Sequence, residues 1–253
     1  MKYCYVIYSH TDYLDILIIA THYLDSCSNK KLIINKSDKD LSSIYKQYNE
    51  VIFYDDSLPY ASRLLELQSL SMEYILLIHE IDIVIKQDMI VIERLVKEMI
   101  DNNIDRIDLK YAKSANNNEY INLYNNGYSF FLTKQSSKDD CLYNVNPSIW
   151  KLSSLLETLN KFPNKTYRTI EQGDVFIFCD KFNIYKMYNE KYLECGYFRC
   201  LPFFQYLHIS HSGGLLPLFN NNLEEDINKE YHSIYETFLS KGQRRVRKIL
   251  HDG

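Results

Sequence analysis

The sequence predicts an α/β fold, a mostly parallel sheet flanked by helices, on three observations. Short apolar runs alternate with helical patterns through residues 3–78, giving β-α-β-α-β-α-β with short links. Each run ends in a polar cluster, at Ser9–Asp12, Asn35–Asp38, Asp55–Ser57 and His79–Asp82. Tyr74-Ile75-Leu76-Leu77-Ile78 is apolar almost throughout, the pattern of a strand buried on both faces in the middle of a parallel sheet. Ligands of open α/β sheets bind just beyond the carboxyl ends of the strands, so four polar clusters in phase predict a ligand rim.

In order, Tyr3–Tyr8 reads as the first strand. A helix over Tyr13–Leu24 follows, with Leu14, Leu17, Ile18 and Thr21 toward the sheet and Thr11 or Asp12 as its cap. Lys31–Asn35 is the second strand, Asp40–Tyr48 a helix, and Val51–Tyr54 the third strand. Pro59 opens a helix through about Leu70, because proline is accepted in a first turn. After Asp88 a helix runs to about Asn102 with Ile90, Val91, Leu95 and Met99 on its apolar side, and Ile104–Leu109 is a strand. Ser114–Gly127, dense in asparagine, reads as a loop or hairpin tip. Tyr128–Thr133 and Leu142–Asn146 read as strands, Lys151–Leu159 as a helix, and Ile184–Tyr188 as a strand. The run opened by Glu171–Asp174 fits a helix or a strand. Tyr197–Leu207 is apolar but broken by Pro202, and Glu224–Leu239 is an amphipathic helix. Without repeats or a Pro/Gly/Ser linker, 1–253 reads as one domain: a nucleotide-type half to about 110, an irregular half over about 111–220 that would supply a second substrate pocket, and a helical tail.

The 253 residues and 46% hydrophobic content permit a sizeable core, and a net charge of -4 gives no global pointer to nucleic acid or an anionic membrane. The basic run Arg244–Lys248 has little aromatic interleaving and reads as a solvated helix end. There are 23 tyrosines against one tryptophan and seven glycines, a set AT-rich codons encode, so tyrosine-rich patches carry little signal here. The six cysteines are scattered, none in a C-x-x-C pair, as expected of reduced thiols. The start is a strand pattern rather than a signal peptide, and no run reaches the length of a transmembrane helix. The expectation is a soluble cytoplasmic protein, in the host-cell cytoplasm if viral, of open oligomeric state.

No phosphate-binding or dinucleotide glycine motif and no nucleophile elbow is present. Glu80 and Asp82 alternate, so on an extended segment both carboxylates point to one side, an arrangement suited to a divalent ion that also bridges a phosphorylated ligand. The plain alternative has Glu80 starting the next segment and Asp82 capping it or facing water. His79 either orients a substrate or stabilises the strand end. His208 and His211 precede Ser212-Gly213-Gly214, where glycines let backbone approach a phosphate and imidazole suits Mn²⁺; they equally fit a surface loop. Glu171 and Asp174 are one helical turn apart, and either can serve as a general base or as an acid favoured by a helix N-terminus.

Tyr8-Ser9-His10-Thr11-Asp12-Tyr13, Asn35-Lys36-Ser37, and Tyr74 through Glu80 come in an order that resembles the GT-A-fold, nucleotide-sugar-dependent glycosyltransferases, whose sheet is Rossmann-like. Tyr143 through Lys151, a Leu-rich helix and Glu171 are similar to an acceptor-side signature of bacterial and viral relatives; the resemblance spans roughly residues 3–215. It implies transfer of a sugar from a UDP-, GDP- or dTDP-sugar to a hydroxyl of a glycan or glycoconjugate, metal-assisted by Mn²⁺ or Mg²⁺ and inverting. Glu80 and Asp82 stand where the family carries its D-x-D motif, with Glu in place of the first Asp; His211 is a third metal or diphosphate ligand. On the resemblance, Ser9, His10, Thr11, Asp12, Asn35, Arg63 and His79 would surround the nucleotide sugar and Glu171 would be the acceptor-side base, the role that chemistry alone leaves open between Glu171 and Asp174. Some relatives work without a metal, and both routes stay open. Rival readings are a nucleotidyltransferase or phosphohydrolase using the same acids, and a binding module without catalysis.

Overall fold

The computed structural model describes residues 3–24, 27–111, 120–125, 128–136, 142–188, 198–201, 203–208, 210, 211, 214, 215, 233 and 236. The first half runs β1 (Tyr3–Tyr8), α1 (Leu14–Tyr23), β2 (Lys30–Asn35), α2 (Ser42–Tyr45), β3 (Glu50–Tyr54), α3 (Tyr60–Leu64), β4 (Tyr74–His79), β5 (Asp82–Gln87) and α4 (Met89–Asp101). The second half continues with β6 (Arg106–Tyr111), β7 (Tyr120–Asn125), β8 (Tyr128–Lys134), β9 (Ser148–Lys151), α5 (Leu152–Lys161), α6 (Gly173–Cys179) and β10 (Ile184–Tyr188). Four short strands follow: β11 (Phe198–Leu201), β12 (Phe204–His208), β13 (Ser210–His211) and β14 (Gly214–Leu215).

Among the described residues, nine strands form the main sheet in the order β3-β2-β1-β4-β9-β6-β10-β8-β7. The first four are parallel; β9 and β8 are antiparallel to their neighbours, so seven strands run one way and two the other. β1 carries β2 on one side and β4 on the other, so the order reverses between β1 and β4. All six residues of β4 are buried, as its unbroken apolar run requires. Burial of each large aliphatic side chain there contributes about 1.5–3 kcal/mol.

Alternation along the strands divides the core. Tyr5 and Ile7 join residues of α1, α2 and α4 on one face, whereas Cys4, Val6 and Tyr8 join residues of α3, α5 and α6 on the other. A second sheet, β11-β12-β5, lies on the first of these faces through Val84, Leu201, Phe204 and Tyr206. α4 starts where Asp88 accepts hydrogen bonds from the Ile90 and Val91 amides. It stops at Asn103, whose φ of 48° asparagine tolerates.

Several elements differ from the sequence reading. Helix 40–48 shrinks to Ser42–Tyr45, and the helix opened by Pro59 tightens after Leu64 into a 3₁₀ turn, Leu65–Ser69. Ile90 is 68% exposed, and Ile92 and Val96 fill the buried face of α4. Leu142–Asn146 is a bent loop, not a strand, because Arg106 takes the carbonyls of Leu142 and Asn144 away from any ladder. Part of the expected loop 114–127 is β7; 112–119 and 126–127 lie outside the described residues. So do most of the helix expected over 224–239 and all of 244–248. The apolar run after Asp82 is β5, which leaves the main sheet altogether. Cys4, Cys27 and Cys179 are buried thiols outside any disulfide. Among the described residues, no helix is long and apolar enough to cross a membrane.

Candidate nucleotide cleft

A cleft of about 800 Å³ opens at the carboxyl ends of β1, β3 and β4, where the strand order reverses. Tyr8, His10, Asp12 and Tyr13 line it from β1, Asp56, Ser57 and Leu58 from β3, and His79, Glu80 and Ile81 from β4. Pro59, Tyr60 and Arg63 enter from α3, and Thr166, Tyr167 and Arg168 from the segment between α5 and α6.

The loop after β1 is fastened from below. Asn35, at the end of β2, accepts from the Thr11 amide at 2.8 Å and donates to the Thr11 hydroxyl at 2.9 Å. Ser9 is fully buried, its amide on Ile33 and its carbonyl taken by the Tyr54 hydroxyl. These three residues therefore brace the rim and do not line it. His10 is fixed by donor logic. Its Nδ1 accepts the Asp12 amide at 3.0 Å, so in the neutral ring Nε2 carries the proton and donates to Asp56 at 3.0 Å. Arg63 meets the other oxygen of Asp56 at 3.0 Å and also donates to the carbonyls of Leu58 and Asp56. Its guanidinium lies over the Tyr54 ring at 5.3 Å. Arg63 thus lines the cleft while its charge is spent on the loop after β3.

An aromatic wall surrounds His79. Tyr8 stacks on Tyr54, and Tyr60 and Tyr167 meet at a right angle with ring centroids 5.4 Å apart. Both contact the His79 ring. His79 Nδ1 lies 2.8 Å from the Val145 carbonyl, which can only accept, so Nδ1 carries the proton and Nε2 accepts from the Tyr60 hydroxyl at 2.8 Å. Burial holds its pKa down to about 4, against the pull of Asp82, so the ring is neutral at physiological pH.

The same residue reaches Glu171. The Val145 amide donates to Glu171 Oε1 at 2.6 Å, so one residue, Val145, links His79 to this carboxylate through its carbonyl and its N–H. Burial raises the Glu171 pKa above the ordinary carboxylate range, partly offset by the Val145 amide and Arg106. Asp174 is exposed at the start of α6 and pairs with Lys165 at 2.8 Å, which holds its pKa down. Neither acid lines the cleft.

Glu80 occupies the turn between β4 and β5 rather than an extended segment, and it lines the cleft; Asp82 begins β5 and does not. Asp82 is buried and faces His208 across the β5–β12 ladder, Oδ1 to Nδ1 at 2.8 Å. His211 is on β13, and its side chain lies outside what is described, as do Ser212 and Gly213. Among the described residues no group of three or more His, Cys, Asp or Glu is arranged to hold a metal. The donor chemistry of Glu80 and Asp82 nevertheless fits Mg²⁺ or Mn²⁺, which bind through one or two carboxylates with substrate phosphates and water completing the shell.

The cleft therefore gathers His10, Asp12, Arg63, His79 and Glu80 of the residues read from the sequence, and adds Tyr8, Tyr60, Tyr167 and Arg168. The tyrosines were hidden by their abundance. Tyr167-Arg168, an aromatic-basic pair just ahead of Glu171, was the one signal that offered itself.

No family model matches the sequence, and no curated protein matches it either. Among solved structures the chain is similar to S. aureus TarS 1–349, at 14% identity and a TM-score of 0.48, over 74% of this chain and 60% of that one. It is similar to the glycosyltransferase GlyE of Streptococcus pneumoniae TIGR4, at 15% identity and a TM-score of 0.46, over 98% of this chain and 66% of that one. A third is a CMP:2-keto-3-deoxy-manno-octonic acid synthetase complexed with CTP, at 12% identity and a TM-score of 0.45, over 75% of this chain and 90% of that one. The chain thus spans less than two thirds of the length of TarS 1–349 and of GlyE. The α/β class, a large mostly parallel sheet flanked by helices, stands on the strand pairing itself.

Proposed function

We propose that the chain is a glycosyltransferase that binds a nucleoside-diphosphate sugar in this cleft and passes the sugar to a hydroxyl of a glycan or glycoconjugate. The observation that carries the reading is the cleft at the reversal between β1 and β4, walled by aromatic rings that suit a base and edged by Glu80. Glu171, its proton affinity raised by burial, takes the acceptor proton as the hydroxyl attacks the sugar carbon from the side opposite the diphosphate, which inverts that centre. His79, neutral and bonded at both nitrogens, holds the Val145 peptide and with it Glu171. Tyr60 and Tyr167 exclude water and align the donor. A Mn²⁺ or Mg²⁺ ion held by Glu80 and Asp82 would neutralise charge on the departing diphosphate.

The test is a titration with UDP-, GDP- and dTDP-sugars, with EDTA or with Mn²⁺, followed by an assay for donor hydrolysis. Binding of one donor class with slow hydrolysis is expected. If none of them binds, or if a nucleoside triphosphate and a sugar phosphate yield pyrophosphate instead, the assignment to a glycosyltransferase falls.

A further inference from the structure

Among the described residues, five formally charged side chains line the cleft: Asp12, Asp56 and Glu80 against Arg63 and Arg168, a net of -1. A diphosphate entering such a lining meets repulsion unless a positive charge is held in reserve for it. Arg63 is not that charge, because its three nitrogens are engaged by Asp56 and by the carbonyls of Asp56 and Leu58. The histidines are not either, since His10 and His79 each have both ring nitrogens in hydrogen bonds. Arg168 remains. It is exposed, and among the described residues it is the cation of the lining that no carboxylate meets.

Its platform is built rather than loose. The Lys165 carbonyl accepts from the Ala61 amide at 3.1 Å, and the Pro163 carbonyl from the Ser62 hydroxyl at 2.8 Å, tying the segment to α3. Thr166 and Thr169 close a turn through reciprocal bonds, and the Tyr167 ring is wedged against Tyr60 and His79. The neighbouring cation, Lys165, is paired with Asp174. The backbone of Arg168 is therefore held at the rim while its guanidinium stays available.

We infer that Arg168 is the phosphate clamp of the cleft: its guanidinium grips the diphosphate of a nucleoside diphosphate, from the loop before α6 rather than from the nucleotide-type half. This rests on the nucleotide reading above. A planar guanidinium presents paired donors to phosphate oxygens, which gives it both strength and orientation. The positive charge it brings does not depend on a bound ion, so the clamp acts with or without a divalent metal.

Calorimetric titration of the wild type, Arg168→Gln and Arg168→Lys with UDP, GDP and dTDP, and with uridine, guanosine and thymidine, tests it in EDTA and in Mn²⁺. Arg168→Gln should weaken the preferred diphosphate about tenfold or more in both buffers, leaving the nucleoside unchanged. Arg168→Lys should fall between, having kept the charge and lost the fork. Equal diphosphate affinity in Arg168→Gln and the wild type, with the nucleoside still bound, overturns the clamp alone. A parallel loss of nucleoside affinity also overturns it, because the arginine would then be shaping the cleft. A wild type that binds neither nucleosides nor diphosphates overturns the nucleotide reading as well.

Discussion

The two halves of the sheet handle polar residues in opposite ways. In β1 to β4 the strands are apolar and the polar side chains wait at their carboxyl ends, where His10, Asp56, His79 and Glu80 meet in the cleft. In β6 and β10 the charges stand inside the strands. Arg106 and Asp108 are fully buried in β6, and Lys186 in β10 is nearly so. Arg106 donates to the Leu142 carbonyl at 2.6 Å and to the Asn144 side chain at 2.8 Å, and stacks over Trp150 at 4.9 Å. Asn144 returns a bond to Asp108 at 2.6 Å, and Lys186 lies 3.6 Å from the same carboxylate oxygen. The rim of the first half presents groups to a ligand. The buried network of the second half fastens residues 142–144, and so fixes Val145, which holds His79 and Glu171. The site is thus edged by one half and aimed by the other.

The comparison breaks most visibly at Arg106. Arg106→Ala leaves the buried Asp108 to Lys186 and Asn144 and releases two carbonyls, and removing one partner of a buried ion pair costs about 3–5 kcal/mol. Urea unfolding should report a loss of that size. Near-wild-type stability would mean that the network is spectator to the fold.

His79 supplies the next effect, through pH. Its folded pKa of about 4 lies below the ordinary 6.5, so the unfolded chain binds the proton first as pH falls. The stability is complete above pH 6.5 and drains away down to about pH 4, by about 3 kcal/mol. In His79→Gln the drop between these limits should shrink by that amount in urea melts at pH 7 and pH 4. An undiminished drop would put the acid sensitivity on other groups.

The same contrast explains what the sequence disclosed. The parallel half was legible because its apolar runs and polar ends fall in separate stretches, so a one-dimensional pattern maps directly onto β1 to β4 and their rim. Arg106 and Asp108 alternate with Ile107 and Leu109, a pattern indistinguishable from a strand with one face in water; only the loop laid over that face makes it a core. Leu142–Asn146 reads as a strand for the converse reason, since its hydrogen-bond partners are side chains 36 and 38 residues away. The Asp82–His208 pair spans 126 residues and is created by β5 leaving the main sheet, an event no local pattern encodes. Tyr167 and Arg168 needed the docking of their loop on α3.

Glu171 sharpens the comparison further. Glu171→Gln keeps an oxygen for the Val145 amide, so the loop and donor affinity should survive. Transfer should fall about a hundredfold as the general base is lost. Because burial raises its pKa, the acid limb of the wild-type rate profile should lie above the ordinary carboxylate range and vanish in the variant. Full transfer by Glu171→Gln would leave the carboxylate as a latch for Val145.

Asp174 is the smallest case and the control for all of these. Its side chain is 57% exposed and its partner is the flexible Lys165, so solvent screens the pair and little is lost with it. Asp174→Asn should leave unfolding midpoint, donor affinity and turnover within error of the wild type. The two acids lie three residues apart, yet Glu171 is tied to Val145, the residue that anchors His79, and Asp174 faces water. If Asp174→Asn lost transfer while Glu171→Gln kept it, the acceptor would have to approach from the outer face of α6, and the buried network would be aiming nothing.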